Sequence, residues 1–125
     1  MSSIGSLPRI LVVDDDADMR ETLRVLLRHM GYDAEGAFDG NHALQIQRVR
    51  PAGIVITDIF MPRKDGIETI EAFRREWPRV KIVAMSGGGA VATRDYLGLA
   101  PDIGADAVLR KPFSPESLEE LLTKL

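Results

Sequence analysis

Five short apolar runs alternate with five amphipathic stretches along this chain, and that alternation restricts its fold more than any other feature. The runs lie at about 9–14, 32–37, 53–58, 80–85 and 105–109. Alternation of this kind predicts an α/β protein, with a parallel sheet and helices on both of its faces. Residues 10–13, 53–57 and 80–85 are almost wholly apolar, as strands covered on both faces must be. The run at 32–37 is more polar and is expected at an edge. With 125 residues the chain suffices for one domain around one core.

The stretches between carry helical signals. After the first run, Met19, Leu23, Leu26, Leu27 and Met30 share one helical face, with Asp16 as N-cap and Gly31 just past the end. A second helix is expected over 39–49, with Ala43, Leu44 and Val49 turned inward. A third starts near Asp65-Gly66, buries Ile67, Ile70 and Phe73, and stops before Trp77-Pro78, Trp77 covering the core. A fourth is expected over 93–103, bent by Gly98 and Pro101. The last opens on Ser114-Pro115-Glu116, a cap, an N1 proline and an acidic first turn, and buries Leu118, Leu121 and Leu122.

Composition narrows the function. A net charge of −3 gives no global basic field, so nucleic acid is not an expected partner. The chain has no cysteine, which excludes disulfides, zinc–thiolate sites and thiol catalysis. No apolar run approaches the roughly 18 residues of a membrane span. Residues 1–8 lack the charged-then-apolar order of a signal peptide and read as a flexible lead-in to a single domain over 9–125. No membrane partner and a cytoplasmic location are the expectation.

Three of the runs end on chemistry. The third ends at Asp58, and the chain then breaks at Pro62 and Asp65-Gly66. The first runs into Asp14-Asp15-Asp16, and the fifth into Lys111-Pro112. In open α/β sheets, ligands bind at the carboxyl ends of the strands. Alone, the acidic run reads as a solvated turn, one member of which caps a helix. Set beside Asp58 on another strand end, it reads as a divalent-ion site, because adjacent like charges repel unless a cation joins them. Magnesium suits such oxygen donors.

Asp58 is then either a ligand only or also a nucleophile able to form an aspartyl phosphate. In-line phosphoryl transfer needs a nucleophile, a divalent ion and positive charge near the equatorial oxygens. Lys111 supplies that charge if its strand neighbours the third or fourth. Ser86 ends the fourth run, where its hydroxyl is available to a phosphoryl oxygen. His29, His42, Arg48–Arg50 and Arg74-Arg75 read as solvated residues of helix faces and ends. No dinucleotide or Walker motif and no nucleophile elbow is present.

These marks together resemble the receiver domain of two-component response regulators. They are Val-Val-Asp-Asp at 12–15, Asp58-x-x-Met-Pro-x-x-Asp-Gly at 58–66, Ser86, and Lys111-Pro112-Phe113. The likeness runs from Ile10 to Leu122 and is closest in kind to stand-alone, chemotaxis-type regulators. It implies a flavodoxin-like three-layer sandwich, with five parallel strands in the order 2-1-3-4-5 and five helices. It implies Asp58 as phosphoacceptor, with Lys111 paired to the phosphoryl group and Ser86 moving toward it. Mg2+ would be held by Asp14, Asp15, Asp58 and the Phe60 backbone carbonyl, Asp15 directly and Asp14 through water. The implied phosphodonor is a histidine kinase or a histidine phosphotransfer protein, and the output is an unknown downstream protein. Apart from forming and hydrolysing its own phosphoryl group, such a domain is not an enzyme.

Two alternatives stand beside this. An aspartate-nucleophile phosphohydrolase commonly places a second carboxylate two residues after the nucleophile, where this chain has Phe60. A pseudo-receiver would not need the intact set of Asp14, Asp15, Asp58 and Lys111. The chain also departs from the family it resembles. Val108 stands where an aromatic switch residue is usual, and the 86–111 stretch is about three residues longer than is common in that family. Two expectations follow: Phe60 shields the phosphoryl group from water, and the 87–103 segment carries the readout by ordering.

Overall fold

A computed structural model describes residues 7–59, 66–86 and 104–125. Five strands are β1 (Ile10–Val13), β2 (Ala34–Ala37), β3 (Ile54–Asp58), β4 (Lys81–Ser86) and β5 (Ala107–Arg110). The four helices among the described residues are α1 (Ala17–His29), α2 (Gly40–Val49), α3 (Gly66–Glu76) and α4 (Pro115–Thr123). The helix expected over 93–103 lies outside the described residues, as do Phe60 and the three glycines after Ser86.

All strand pairs are parallel and the order is β2-β1-β3-β4-β5. Successive residues of a strand face opposite layers, and the core divides accordingly. Leu11, Val13, Val55, Ile82 and Ala84 pack with Ala43 and Leu44 of α2 and Ile70 and Phe73 of α3. Ile10, Val12, Ile54, Ile56, Val83 and Met85 pack with Leu23 and Leu27 of α1 and Leu118 and Leu122 of α4. The sheet is thus the middle of three layers, which is why its inner strands carry no polar alternation.

Local chemistry sets the element ends. The Asp16 carboxylate accepts from the Asp18 and Met19 amides at 3.0 and 3.3 Å, capping α1. Gly31 ends that helix at φ +99°, a conformation costly for any residue with a Cβ. Asp39 caps α2 through the His42 amide at 2.8 Å. Ser114 and Ser117 exchange side chain-to-amide bonds at the start of α4, a reciprocal cap behind Pro115 at N1. At Gly66 a Cβ would overlap the Asp58 carbonyl oxygen, so only glycine lets α3 begin against the end of β3.

Three expectations are corrected. Strand β2 starts at Ala34 rather than residue 32, because the Tyr32 amide still bonds the Leu27 carbonyl at the end of α1. The short, partly polar β2 is nevertheless an edge strand, as expected. Val49 is not inward but 80 % exposed. The inner position at that end of α2 belongs to Gln47, whose amide pairs with both the N–H and the carbonyl of Ala52 at 2.9 and 3.1 Å. That exchange satisfies a buried polar side chain and a bend of backbone together. Strand β5 runs two residues later at its start than the apolar pattern suggested, because Asp106 turns its carboxylate onto the Ile82 amide at 2.8 Å.

Candidate functional site

The strand order brings β1, β3 and β5 to one edge of the sheet, and the register lines up their carboxyl ends. Val13 pairs with Thr57, Asp58 with Met85, and Ser86 with Arg110. Asp14 follows the last residue of β1, Asp58 is the last of β3, and Lys111 follows the last of β5. The Lys111 amide bonds the Ser86 carbonyl at 3.0 Å, and the Lys111–Pro112 peptide is cis.

From there the Lys111 side chain crosses β4 to reach both acids. Its Nζ lies 3.1 Å from Asp14 Oδ2 and 3.1 Å from Asp58 Oδ2. Asp14 is fully buried and Asp58 nearly so, whereas Asp15 is exposed. Asp14, Asp15 and Asp58 each offer a carboxylate oxygen within 4.8 Å of the others. Among the described residues, three carboxylates therefore gather around the Lys111 ammonium. An all-oxygen donor set of this size, two members buried and one open to solvent, suits a hard divalent cation that keeps several waters.

Each polar atom of Asp14 is engaged. Its amide bonds the Ala37 carbonyl at 3.1 Å, Oδ1 accepts from the Asp16 amide at 2.9 Å, and Oδ2 takes Lys111. Its carbonyl oxygen accepts from Arg20 Nη1 at 2.8 Å. Even so, burial raises the Asp14 pKa above the ordinary carboxylate value. The Asp16 amide and the Lys111 charge oppose that rise, and Asp58 adds to it. For Lys111, burial alone would lower the pKa, but the charges of Asp58 and Asp14 outweigh burial and the net shift is upward. Lys111 is thus held charged beside an acid whose burial disfavours its ionised form.

Ser86 is almost fully buried at the end of β4, one residue beyond the partner of Asp58. The described residues thus bring together Asp14, Asp15, Asp58 and Lys111, with Ser86 at the same edge. Phe60 lies outside them. Val108 is half-buried on β5 and packs toward the α2–α3 layer. His29 is exposed as expected. His42 is half-buried, stacks on Phe38 with centroids 4.1 Å apart, and accepts the Phe38 amide at Nδ1.

Two arginines escaped the sequence reading. Arg74 is not a solvated helix end. It is half-buried, and its guanidinium binds the Pro78, Val80 and Gly104 carbonyls and the Asp106 carboxylate. Arg20 reaches back from α1 to the Asp14 carbonyl. No sequence signal marks Arg20, since the Gly36 position that makes room for its stem lies opposite it only once β2 pairs with β1.

Comparison with known proteins places this geometry. The profile of the response regulator receiver domain matches residues 10–123. The response regulator MprA of Mycolicibacterium vanbaalenii is 41 % identical over 117 residues, 94 % of this chain and 48 % of that protein. The probable transcriptional regulator ycf27 of Cyanophora paradoxa is 37 % identical over 117 residues, again 94 % of this chain and 47 % of the relative. The chain thus spans about half the length of the curated relatives it matches. Among solved structures, the chemotaxis protein CheY4 of Vibrio cholerae superposes with a TM-score of 0.86 at 27 % identity, covering 95 % of this chain and 98 % of that one. NtrX of Brucella abortus gives 0.86 at 29 % identity, over 95 % of this chain and 27 % of NtrX. The chain belongs to the response regulator receiver domain family.

Proposed function

We propose that Asp58 of this receiver domain accepts a phosphoryl group from a histidine kinase or a histidine phosphotransfer protein. The observation that carries the reading is the Asp58 carboxylate at the sheet edge, 3.1 Å from the Lys111 ammonium and clustered with Asp14 and Asp15. Asp14, Asp15 and Asp58 are the residues that would hold Mg2+, Asp15 as the exposed direct ligand. When bound, the ion would neutralise charge on the transferring phosphoryl group.

In the transfer, a carboxylate oxygen of Asp58 forms a bond to phosphorus as the donor's phosphorus–nitrogen bond breaks. The electron pair of that bond stays on the donor imidazole, which takes up a proton. Lys111, already oriented by two carboxylates, then has a phosphoryl oxygen to pair with in place of Asp58 Oδ2. Ser86, one residue past the partner of Asp58, supplies a hydroxyl donor for another. Asp14 keeps Lys111 at the edge through the exchange. Hydrolysis by water returns the free carboxylate, so the domain resets itself without being a conventional enzyme.

Among the described residues no helix is long and apolar enough to cross a membrane, and a cytoplasmic setting with the donor protein fits the reading. The phosphorylated state is read by a protein partner or passed on in a relay. The family match favours neither a phosphohydrolase nor a pseudo-receiver. Intact mass after incubation with acetyl phosphate and Mg2+ tests the proposal. The wild type is expected to gain one phosphoryl group, Asp58→Asn none, and a chelator to abolish the gain. Equal gain by Asp58→Asn would overturn it.

A further inference from the structure

Arg20 sits outside the acidic cluster yet touches it from behind. Its Nη1 donates to the Asp14 carbonyl at 2.8 Å, and its own amide bonds the Asp16 carbonyl at 3.0 Å as α1 begins. The stem of the side chain lies across β2 at Gly36. A Cβ on Gly36 would come within 2.8 Å of Arg20 Cγ and 2.9 Å of Arg20 Cδ, and only within 3.3 Å of Arg24 Cδ, so the glycine chiefly leaves room for the Arg20 stem. The Asp14 carbonyl follows the end of β1 in a fully buried residue, where an oxygen without a donor is costly.

We infer that Arg20 is a positioning residue for the divalent-ion site, setting the Asp14–Asp15 peptide plane so that both carboxylates converge on Asp58; this rests on the functional reading above. The amide joining Asp14 to Asp15 has its oxygen held by Arg20, and its plane sets the N–Cα axis from which the Asp15 side chain departs. Asp15 is the exposed member of the cluster, the one that burial does not orient. Asp14 is held at its carboxylate by the Asp16 amide and Lys111, so the guanidinium holds the opposite side of the same residue. Arg24, one turn on, makes a contrast. It also crosses β2, with Nε 3.4 Å from the Ala34 carbonyl, but its guanidinium is tied to Glu21 at 2.8 Å rather than to Asp14.

Positioning and simple electrostatics predict opposite signs. A guanidinium beside three carboxylates weakens their pull on a cation, so if only its charge mattered, Arg20→Ala would tighten Mg2+ binding. If it positions the ligands, the same change weakens binding, by about tenfold or more, as loss of groups that orient metal ligands does.

The test is calorimetric titration of the full chain with Mg2+ alone, well below the melting temperature, for wild type, Arg20→Ala, Arg20→Lys, Gly36→Ala and Arg24→Ala. Arg20→Ala is expected to weaken Mg2+ about tenfold, near 1.4 kcal/mol, and Arg20→Lys to recover part of the loss. Gly36→Ala displaces the stem, so it should weaken binding by a few-fold, and add nothing once Arg20 is Ala, because both act through one contact. Arg24→Ala should bind like the wild type. Amide shifts of Asp15 and Asp16 in the metal-free protein should move in Arg20→Ala and not in Arg24→Ala. Wild-type affinity, or tighter binding, in a folded Arg20→Ala would overturn the inference while leaving the functional reading intact. Failure of the wild type itself to bind Mg2+ would overturn both.

Discussion

The two edges of the sheet handle charge in opposite ways. At the amino edge, Arg9 pairs with Asp33 and Glu35, and Arg50 pairs with the same Asp33 at 3.2 Å. Two guanidiniums meet two carboxylates, and three of those four side chains are well exposed. The Arg9 guanidinium also bonds the Arg50 carbonyl at 2.7 Å, tying the start of β1 to the end of α2. At the carboxyl edge, among the described residues, three carboxylates gather around the Lys111 ammonium, two of the acids are buried, and the Arg20 guanidinium reaches the backbone behind them. The amino-edge network is balanced in charge, two cations to two anions, with most of its groups open to water. The carboxyl edge gathers like charges in a place where charge is hard to solvate, an arrangement that clusters at functional sites.

That contrast can be broken first at Lys111. Lys111→Met leaves Asp14 and Asp58 facing each other without the ammonium that both now contact. It should destabilise the metal-free protein at neutral pH by roughly 2–4 kcal/mol, toward the range for removing one partner of a buried pair, read as a lowered denaturation midpoint in urea. The pH dependence follows from the raised lysine pKa. The contribution of Lys111 is fully present below its unfolded pKa, about 10.4, and is lost as pH rises through the higher folded value. The gap between wild type and variant should therefore narrow in strong alkali. A gap that widened there would contradict the assignment.

Asp14→Asn sharpens the comparison from the other side. The Asp14 pKa is raised, chiefly by burial. What a raised carboxyl contributes to stability is complete below its unfolded value and is lost as pH rises through the folded one, so at pH 7 the ionised form is a cost. Asp14→Asn should stabilise the metal-free protein at pH 7, on the order of 1 kcal/mol, and the gain should vanish toward pH 3. The wild type, but not this variant, should recover the difference when Mg2+ is added, since a ligand bound only by the folded state at 100 times its Kd stabilises by about 2.7 kcal/mol. Thermal melts with and without Mg2+ check both parts.

The amino edge should be nearly silent. Arg50→Ala removes an exposed ion pair and leaves the Arg50 carbonyl that Arg9 binds. Its cost should stay below about 0.5–1 kcal/mol, with no change in Mg2+ affinity or phosphorylation. A change in either would mean that the two edges are coupled through the sheet.

Much of this was legible in the sequence, for identifiable reasons. Buried parallel strands leave unbroken apolar runs, and the acids and the lysine at their ends mark one edge whatever the strand order. The order itself is what carries Lys111 to Asp14 and Asp58, residues 97 and 53 positions away. What escaped was chemistry invisible to periodicity. Val49 occupies a helical position that pattern alone turns inward, but the chain leaves α2 there and Gln47 takes the inner place through an amide exchange with Ala52. Arg74 and Arg20 look like ordinary surface cations because their partners include backbone carbonyls, which no sequence pattern announces.

The central claim is that the acidic cluster at the carboxyl edge serves phosphoryl transfer to one residue. Borohydride reduction of the protein after treatment with acetyl phosphate and Mg2+, followed by peptide mapping, tests it most directly, because an aspartyl phosphate is reduced to homoserine. The account predicts homoserine at position 58 and at no other aspartate, and none without Mg2+. Homoserine at Asp14 or Asp15, or a phosphoryl group stable to reduction on another residue, would contradict it.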